Sequence, residues 1–216
     1  MDLYTLNFQQ VIFVFKLSLC YKVINVYVSM MIDGKKCFGN ASSSKSFDVI
    51  EQESRKYNIL KYDLTFNGWK DEAIQNTFGG KALVDVNGNA SFAELAIVYY
   101  LKKNGWNARW IQPFGRPSMN PFMLTEWNDV PCKDQTHVPI IDLEIYDTLM
   151  GIAKLNGNSF SGCWDVVAWK NENIIFLEAK RNRRDRIRPN QIDWLKASLA
   201  YGLNCNNFII IQWDIK

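Results

Sequence analysis

One segment constrains the fold more than any other part of the chain: residues 164–180, with the sequence WDVVAWKNENIIFLEAK. Residues 164–169 and 174–179 are rich in β-branched and aromatic side chains with little polar interruption, as in strands that are covered on both faces. Between them, Lys-Asn-Glu-Asn at 170–173 is typical of a turn. The segment therefore predicts a β-hairpin inside a sheet, with charged side chains at its open end.

The register of this hairpin determines which charged side chains meet. If the turn has an even number of residues, Trp169 pairs with Ile174, and counting outward places Asp165 opposite Glu178. Two carboxylates in that position, with β-carbons roughly 5 Å apart, destabilise a sheet unless a positive charge lies nearby. Lys180 follows Glu178 by two residues and therefore shares its face. Such a group can hold a hard divalent cation and an activated water.

A simpler interpretation is a buried Asp/Glu/Lys cluster that neutralises itself, and a turn of odd length would break the register altogether. Burying charge is costly where apolar side chains would serve. Clusters of interacting charges are also more frequent at functional sites than elsewhere. Both arguments favour a metal site, and neither excludes the simpler interpretation.

Composition limits the chemistry that is available. The chain has 216 residues, 48% of them apolar and 14% aromatic, which indicates a globular protein, and a net charge of +3 is too small to identify a partner. Five widely separated cysteines and a single histidine, His137, support neither a disulfide framework nor a zinc site. A catalytic metal would have to be held mainly by oxygen, which favours Mg²⁺ or Mn²⁺. We expect His137 itself in a surface loop.

Three regions are expected along the chain: an uncertain N-terminal segment and linker at 1–46, an extension packing on the core at 47–90, and the main domain at 91–216. The apolar runs at 11–15 and 23–28 are separated by lysines and are shorter than the roughly 20 residues of a bilayer span. No basic cluster precedes them as in a signal peptide. We therefore expect no membrane association, and an intracellular protein that is cytoplasmic in a prokaryote or virus and nuclear in a eukaryote.

Within the extension, helical turns are expected at 49–55 and 69–74, and a short strand or turn at 81–86. The main domain opens with a helix from Ser91 to Asn104, whose apolar stripe and Asn-Gly ending are typical of one. A strand at 106–111 follows.

The rest of the main domain contains an irregular, proline-rich insertion at 113–139 and a candidate short helix at 142–153. After the hairpin, Pro189 and Gly202 are suited to the two ends of another helix. The apolar run at 207–213 predicts the last strand. From residue 91 the main order is helix, three strands, helix and strand, which is an α/β arrangement.

An acid on one strand, twelve intervening residues, and then Glu178-Ala179-Lys180 on the next resembles the PD-(D/E)XK nuclease superfamily, although Trp164 stands where the nominal motif has proline. The basic loop and the helix opening with Gln191 are similar to the VRR-NUC (virus-type replication-repair nuclease) branch. The resemblance covers about residues 88–214. It implies a restriction-endonuclease-like core, with a mixed central sheet in αβββαβ order flanked by helices, and a nuclease-like domain at 91–216.

The resemblance also implies roles for individual residues. Asp165, Glu178 and the backbone carbonyl of Ala179 would be metal ligands, and Lys180 would orient or activate the attacking water. Glu94 matches a metal-binding and catalytic acid on the first core helix of many members.

Two of the implied catalytic residues have alternative interpretations. Ser91-x-x-Glu94 is also a capping box, in which the glutamate bonds to the backbone of its own helix cap. Gln191, in the first turn of its helix, either reaches the Lys180 side or is a tolerated polar residue. The sequence leaves both alternatives open.

A basic loop follows the second strand of the hairpin. Residues 180–188 contain six basic residues and one acid. Five of the six are arginines that we expect to bind nucleic acid: Arg181, Arg183, Arg184, Arg186 and Arg188. Arginines beside a metal site suit phosphate binding, which depends on salt and not on base sequence. The alternative is a solvated loop that contacts nothing.

Together these features predict a Mg²⁺- or Mn²⁺-dependent nuclease that hydrolyses phosphodiester bonds in DNA. We expect structure-selective action in repair, replication or junction processing, because no separate recognition domain is evident. DNA is favoured over RNA, and a homodimer is left open. Two alternatives are a non-catalytic nucleic-acid-binding module that retains the fold and a structural α/β protein with a salt-bridged hairpin.

Overall fold

A computed structural model describes residues 44–52 and 54–216, and within them lie nine strands, three α-helices and two short 3₁₀ helices. The strands are β1 (Ser44–Gln52), β2 (Arg55–Phe66), β3 (Val84–Asp85), β4 (Ala90–Ser91), β5 (Asn107–Gln112), β6 (Phe122–Leu124), β7 (Val166–Lys170), β8 (Asn173–Arg181) and β9 (Phe208–Ile215). The α-helices are α1 (Ala93–Lys103), α2 (Leu143–Leu155) and α3 (Pro189–Tyr201). The expectations for residues 1–43 lie outside the described residues.

Seven strands form one mixed sheet in the order β1-β2-β9-β8-β7-β5-β6. β9 lies parallel to both of its neighbours, β2 and β8, and the other neighbouring pairs are antiparallel. The expectation of an α/β protein with a mixed central sheet is therefore confirmed. β3 and β4 form a separate two-stranded ladder.

The hairpin β7–β8 lies in the interior of this sheet, as its composition predicts. Of its 14 strand residues, all but Lys170, Asn173 and Arg181 at the ends are buried. One face packs against a core that includes α1, and the other against a core that includes α2 and α3. Apolar side chains on both faces explain why these strands lack polar alternation.

The expected helical turns at 49–55 and 69–74 are wrong. Residues 49–52 belong to β1, Arg55 begins β2, and no helix is present at 69–74. From Tyr57 onward, the buried residues on each face of β2 lie two positions apart, which is the period of a strand. β2 also pairs with β9, from the far end of the chain. Residues 49–52 pair antiparallel with residues 55–58 of β2, and the pairing of β2 with β9 holds this hairpin in the sheet, so strand pairing overrides the weak helical tendency.

Two of the helices that flank the sheet, α1 and α3, carry residues to its charged end. α1 begins at Ala93 with Phe92 as its N-cap, two residues after the expected Ser91, and no side chain caps it. α3 begins with Pro189 and ends at Gly202, which has a left-handed φ of 117°, as expected. The candidate helix at 142–153 is present as α2.

The proline-rich insertion has little regular structure, as expected, apart from β6 and the 3₁₀ helix Cys132–Asp134. His137 is exposed in this insertion and accepts a hydrogen bond at Nδ1 from the Met123 backbone (3.1 Å), so the surface-loop expectation is confirmed. Among the described residues, no helix combines the length and apolar character needed to cross a bilayer.

Candidate active site

The predicted register of the hairpin is present, with Trp169 paired with Ile174. Asp165 and Glu178 lie one position beyond the last pair of this ladder, at the open end of the hairpin. Each carboxylate bonds to the backbone of the opposite strand. The Asp165 N–H donates to Glu178 Oε2 (3.1 Å), and the Ala179 N–H donates to Asp165 Oδ2 (3.0 Å). The two acids are thus held side by side where the strands stop pairing.

Lys180 and Gln191 complete a hydrogen-bonded group around Glu178. The Lys180 ammonium lies 2.8 Å from Glu178 Oε1, and the same carboxylate oxygen accepts from Gln191 Nε2 at 2.5 Å. Lys180 also donates to Gln191 Oε1 (3.0 Å). The amide of Gln191 therefore reaches the Lys180 side, which was one of its two alternatives, and holds the ammonium and the carboxylate together.

The start of α3 is fixed against the hairpin by close packing. Trp164 is completely buried and its indole N–H donates to the Gln191 carbonyl (3.2 Å). Gly162 has a φ of +77°, and a β-carbon there would lie 2.0 Å from the Asn190 carbonyl oxygen. Trp164 therefore fixes the first turn of α3, which carries Gln191.

Glu94 approaches the same end of the sheet from α1, but its partner is a lysine that the sequence did not single out. Lys81 forms an ion pair with Glu94 Oε1, and its ammonium lies 5.2 Å from the centre of the Trp110 ring. The Ser91 hydroxyl bonds to the Phe92 carbonyl, and the helix cap is Phe92. The capping-box alternative for Glu94 is therefore wrong.

Lys81 was missed because its role depends on tertiary structure. The only local signal is the Gly79-Gly80 pair before it, both with left-handed φ values, which turns the chain so that Lys81 enters the site. An isolated lysine after a turn is ordinarily solvated.

The electrostatics follow from burial and crowding of like charges. Burial, and then the neighbouring Glu178, raise the pKa of Asp165 from 3.8 to about 8, although Lys81 and Lys180 oppose the shift. Burial also raises the pKa of Glu94. For Lys81, burial alone would lower the pKa, but the carboxylates, Glu94 first, outweigh it and the pKa is raised. Desolvation and the like charge of Glu178 together favour the protonated form of Asp165 when no cation is bound.

A cleft of about 820 Å³ opens over this group, and we call it the charged cleft. It is lined by Glu94, Asp165, Glu178, Ala179, Lys180 and Gln191, together with Lys81. Four of the five predicted arginines also line it, namely Arg181, Arg184, Arg186 and Arg188, whereas Arg183 does not. Arg181 lies over the Trp213 ring at 5.4 Å, which holds its guanidinium beside the acids.

The donors suited to a metal ion are few. Within the described residues, no group of three or more His, Cys, Asp or Glu side chains is arranged to hold an ion. Asp165 and Glu178 supply two neighbouring carboxylates, and Glu94 is occupied by Lys81. Mg²⁺ commonly takes one or two protein carboxylates and completes its shell with water and substrate phosphate, so this pair fits such an ion.

Comparisons with protein-family models, with curated proteins and with solved structures found no match to this chain.

Proposed function

We propose that this protein is a divalent-metal-dependent nuclease that hydrolyses phosphodiester bonds in DNA, with a site like that of the PD-(D/E)XK superfamily and its VRR-NUC branch. The supporting observation is the convergence of Asp165, Glu178, Lys180 and Gln191 at the floor of a cleft whose wall carries four arginines. Acids to hold a cation and guanidinium groups to hold phosphate are both needed for this reaction, and here they share one cleft.

In this proposal Asp165 and Glu178 hold the cation, with the Ala179 carbonyl as a further ligand. The cation would lower the pKa of a water and offset the negative charge that develops on the phosphate. Glu94 would join the ligands only after separating from Lys81.

Lys180 would orient the attacking water and stabilise charge on the phosphate through its ammonium N–H groups. Gln191 is a positioning residue, because it bonds to both Lys180 and Glu178 and so restricts the rotamers of each. A lysine held in this way loses less entropy when it engages substrate.

The arginines at the cleft wall would bind backbone phosphates without reading bases. Arg184, Arg186 and Arg188 are exposed, so a strand can reach them from solvent. Binding of this kind would be independent of base sequence, which is compatible with structure-selective action in repair, replication or junction processing.

The decisive experiment measures cleavage of branched, flapped, single-stranded and duplex DNA, and of single-stranded RNA, by the wild type and by Asp165→Asn and Lys180→Ala. Asp147→Asn and Lys154→Ala are matched controls, since both side chains are exposed on α2, away from the cleft. We expect Mg²⁺-dependent cleavage that both site variants lower by at least about a hundredfold and both controls retain.

Each of the other outcomes would favour a different interpretation of the site. Cleavage that persists unchanged in Asp165→Asn would show that the site is wrongly assigned. Binding by the wild type without cleavage would favour the non-catalytic module. If the wild type neither binds nor cleaves nucleic acid, the interpretation that remains is a structural charge cluster.

A further inference from the structure

A second cleft, of about 710 Å³, lies beside the charged cleft. Its walls include the rings of Phe78, Phe114 and Trp127, and we call it the aromatic cleft. The two clefts share Gly79 and Gly80 in their linings. A β-carbon at either glycine would have nothing within 4 Å, so no side chain stands on the ridge between the clefts.

The rings of the aromatic cleft are held in place before any ligand binds. Phe78 meets Phe114 edge-on at 6.3 Å and Trp127 at 5.6 Å. The Trp127 indole N–H donates to the Asn76 carbonyl (2.8 Å). Phe114 nevertheless remains 76% exposed. A preformed aromatic wall that is left open to solvent is a marker of a binding surface.

Beneath the surface, aromatic packing connects the aromatic cleft to the candidate active site through Trp110, which is fully buried. Trp110 lies 5.8 Å from Phe78 and 6.0 Å from Trp127, and the Lys81 ammonium lies 5.2 Å from the centre of its ring. Because the two clefts share Gly79 and Gly80 in their linings, a strand whose phosphate lies in the charged cleft has the aromatic cleft within the reach of an adjacent nucleotide.

Polar groups at the rim suit a flat ligand with polar edges. The exposed amide of Gln75 and the half-buried Asn76 and Thr77 line the mouth of the cleft. The nearby Asp129 carboxylate accepts from the backbone N–H groups of Gln75 (3.0 Å) and Asn76 (2.8 Å) and from the Asn76 side-chain amide (3.0 Å), which fixes this part of the rim. A nucleobase has such a flat apolar face and hydrogen-bonding edges, and it stacks on aromatic side chains whatever its identity.

We propose that the aromatic cleft binds an unpaired base of a nucleic-acid strand whose phosphates occupy the charged cleft. This inference rests on the proposed function and narrows its substrate class to single-stranded, flapped or frayed strands. A base inside a continuous duplex is stacked on its neighbours and would have to leave the helix to enter the cleft.

The test compares the affinities of a fluorescent single-stranded DNA and of a blunt duplex for the wild type, Phe114→Ala and Phe114→Tyr, with EDTA present so that the DNA stays intact. Tyr146→Ala is the control, because Tyr146 is an exposed aromatic residue on α2 outside both clefts. We expect Phe114→Ala to weaken single-strand binding about tenfold with little change for the duplex, and Phe114→Tyr to retain the wild-type affinity.

An abasic scan assigns the contact to one base. Removing the base at successive positions of the single strand should weaken wild-type binding at one position, and Phe114→Ala should be insensitive to that same change. Equal losses for single strand and duplex, or a loss no larger than that of Tyr146→Ala, would overturn the inference. A wild-type dimer, seen by light scattering, that Phe114→Ala converts to a monomer would assign the cleft to a second copy of the chain and also overturn it.

The two proposals fail in different ways. If the wild type cleaves DNA and the Phe114 variants bind as it does, only the base-binding inference is wrong. If the wild type neither binds nor cleaves nucleic acid, the proposed function is wrong and the inference falls with it.

Discussion

Replacing Asp165 with asparagine should make the metal-free protein more stable at neutral and alkaline pH. The amide oxygen can still accept the hydrogen bond from the Ala179 N–H, which is 3.0 Å from Asp165 Oδ2 in the wild type. The negative charge beside Glu178 is removed. A substitution that damages the proposed activity would then stabilise the fold, as expected where a site is maintained for function at the expense of stability.

The magnitude follows from the raised pKa of Asp165, which is about 8 against an ordinary 3.8. An acid with a higher pKa in the folded state holds its proton more tightly there, so its contribution to stability is lost as the pH rises from about 4 to about 8. At 1.36 kcal/mol per pKa unit, the loss between about pH 5 and about pH 8 is at most roughly 4 kcal/mol. Since Asp165 is half-buried and its neighbours can relax, we expect about 2 kcal/mol.

The assay is urea unfolding of wild type and Asp165→Asn at several pH values, with EDTA throughout. The free energy of unfolding of the wild type should fall relative to that of the variant as the pH rises. His137, whose pKa is lowered mainly by burial, changes stability in the opposite direction near its own pKa, but it is common to both proteins and cancels in the difference. Parallel curves for the two proteins would refute the reasoning.

Three further predictions test other parts of the site. Gly162→Ala should lower the free energy of unfolding, measured in urea, by more than about 2 kcal/mol, because its β-carbon would meet a backbone oxygen at 2.0 Å. Gly157 also has a left-handed φ but has open space around it, so Gly157→Ala should lower it by only about 1 kcal/mol. Lys81→Met should destabilise the metal-free protein at neutral pH, since the buried Glu94 carboxylate loses its partner. Because the lysine is partly exposed, we expect a loss of only about 2 kcal/mol. Arg184→Gln should lower the slope of log affinity for DNA against log salt by about one, while Arg183→Gln, outside the charged cleft, should leave it unchanged.

The parts of the fold that the sequence predicts correctly are those with local causes. The turn at 170–173 sets the pairing of Trp169 with Ile174, and that pairing alone brings Asp165 beside Glu178. Pro189 and Gly202 mark the ends of α3 because their backbone preferences suit those two positions. In each case the information lies within a few residues of the feature.

The features that the sequence does not predict depend on residues far apart in the chain. β2 joins the sheet by pairing with β9, and the Gln212 side chain bonds to Asp63, 149 positions earlier in the chain (2.8 Å). The ion pair of Lys81 with Glu94 likewise depends on where α1 packs against the sheet. Neither strand periodicity nor helix caps contain that information, so the sequence predicts neither the pairing of β2 with β9 nor the ion pair of Lys81 with Glu94.

The charge balance of the site links its stability to its proposed chemistry. Three carboxylates, on Glu94, Asp165 and Glu178, meet two ammonium groups, on Lys81 and Lys180, so the fully ionised group carries one net negative charge. A proton on Asp165 neutralises it when no metal is bound. In the proposed metal-bound state, a divalent cation in place of this proton would make the group net positive, since three negative charges would then face four positive ones. The arginines of the charged cleft add to that excess, and a phosphate diester is the anion that such a surface attracts. Substrate affinity should therefore depend on the same proton that limits the stability of the metal-free fold.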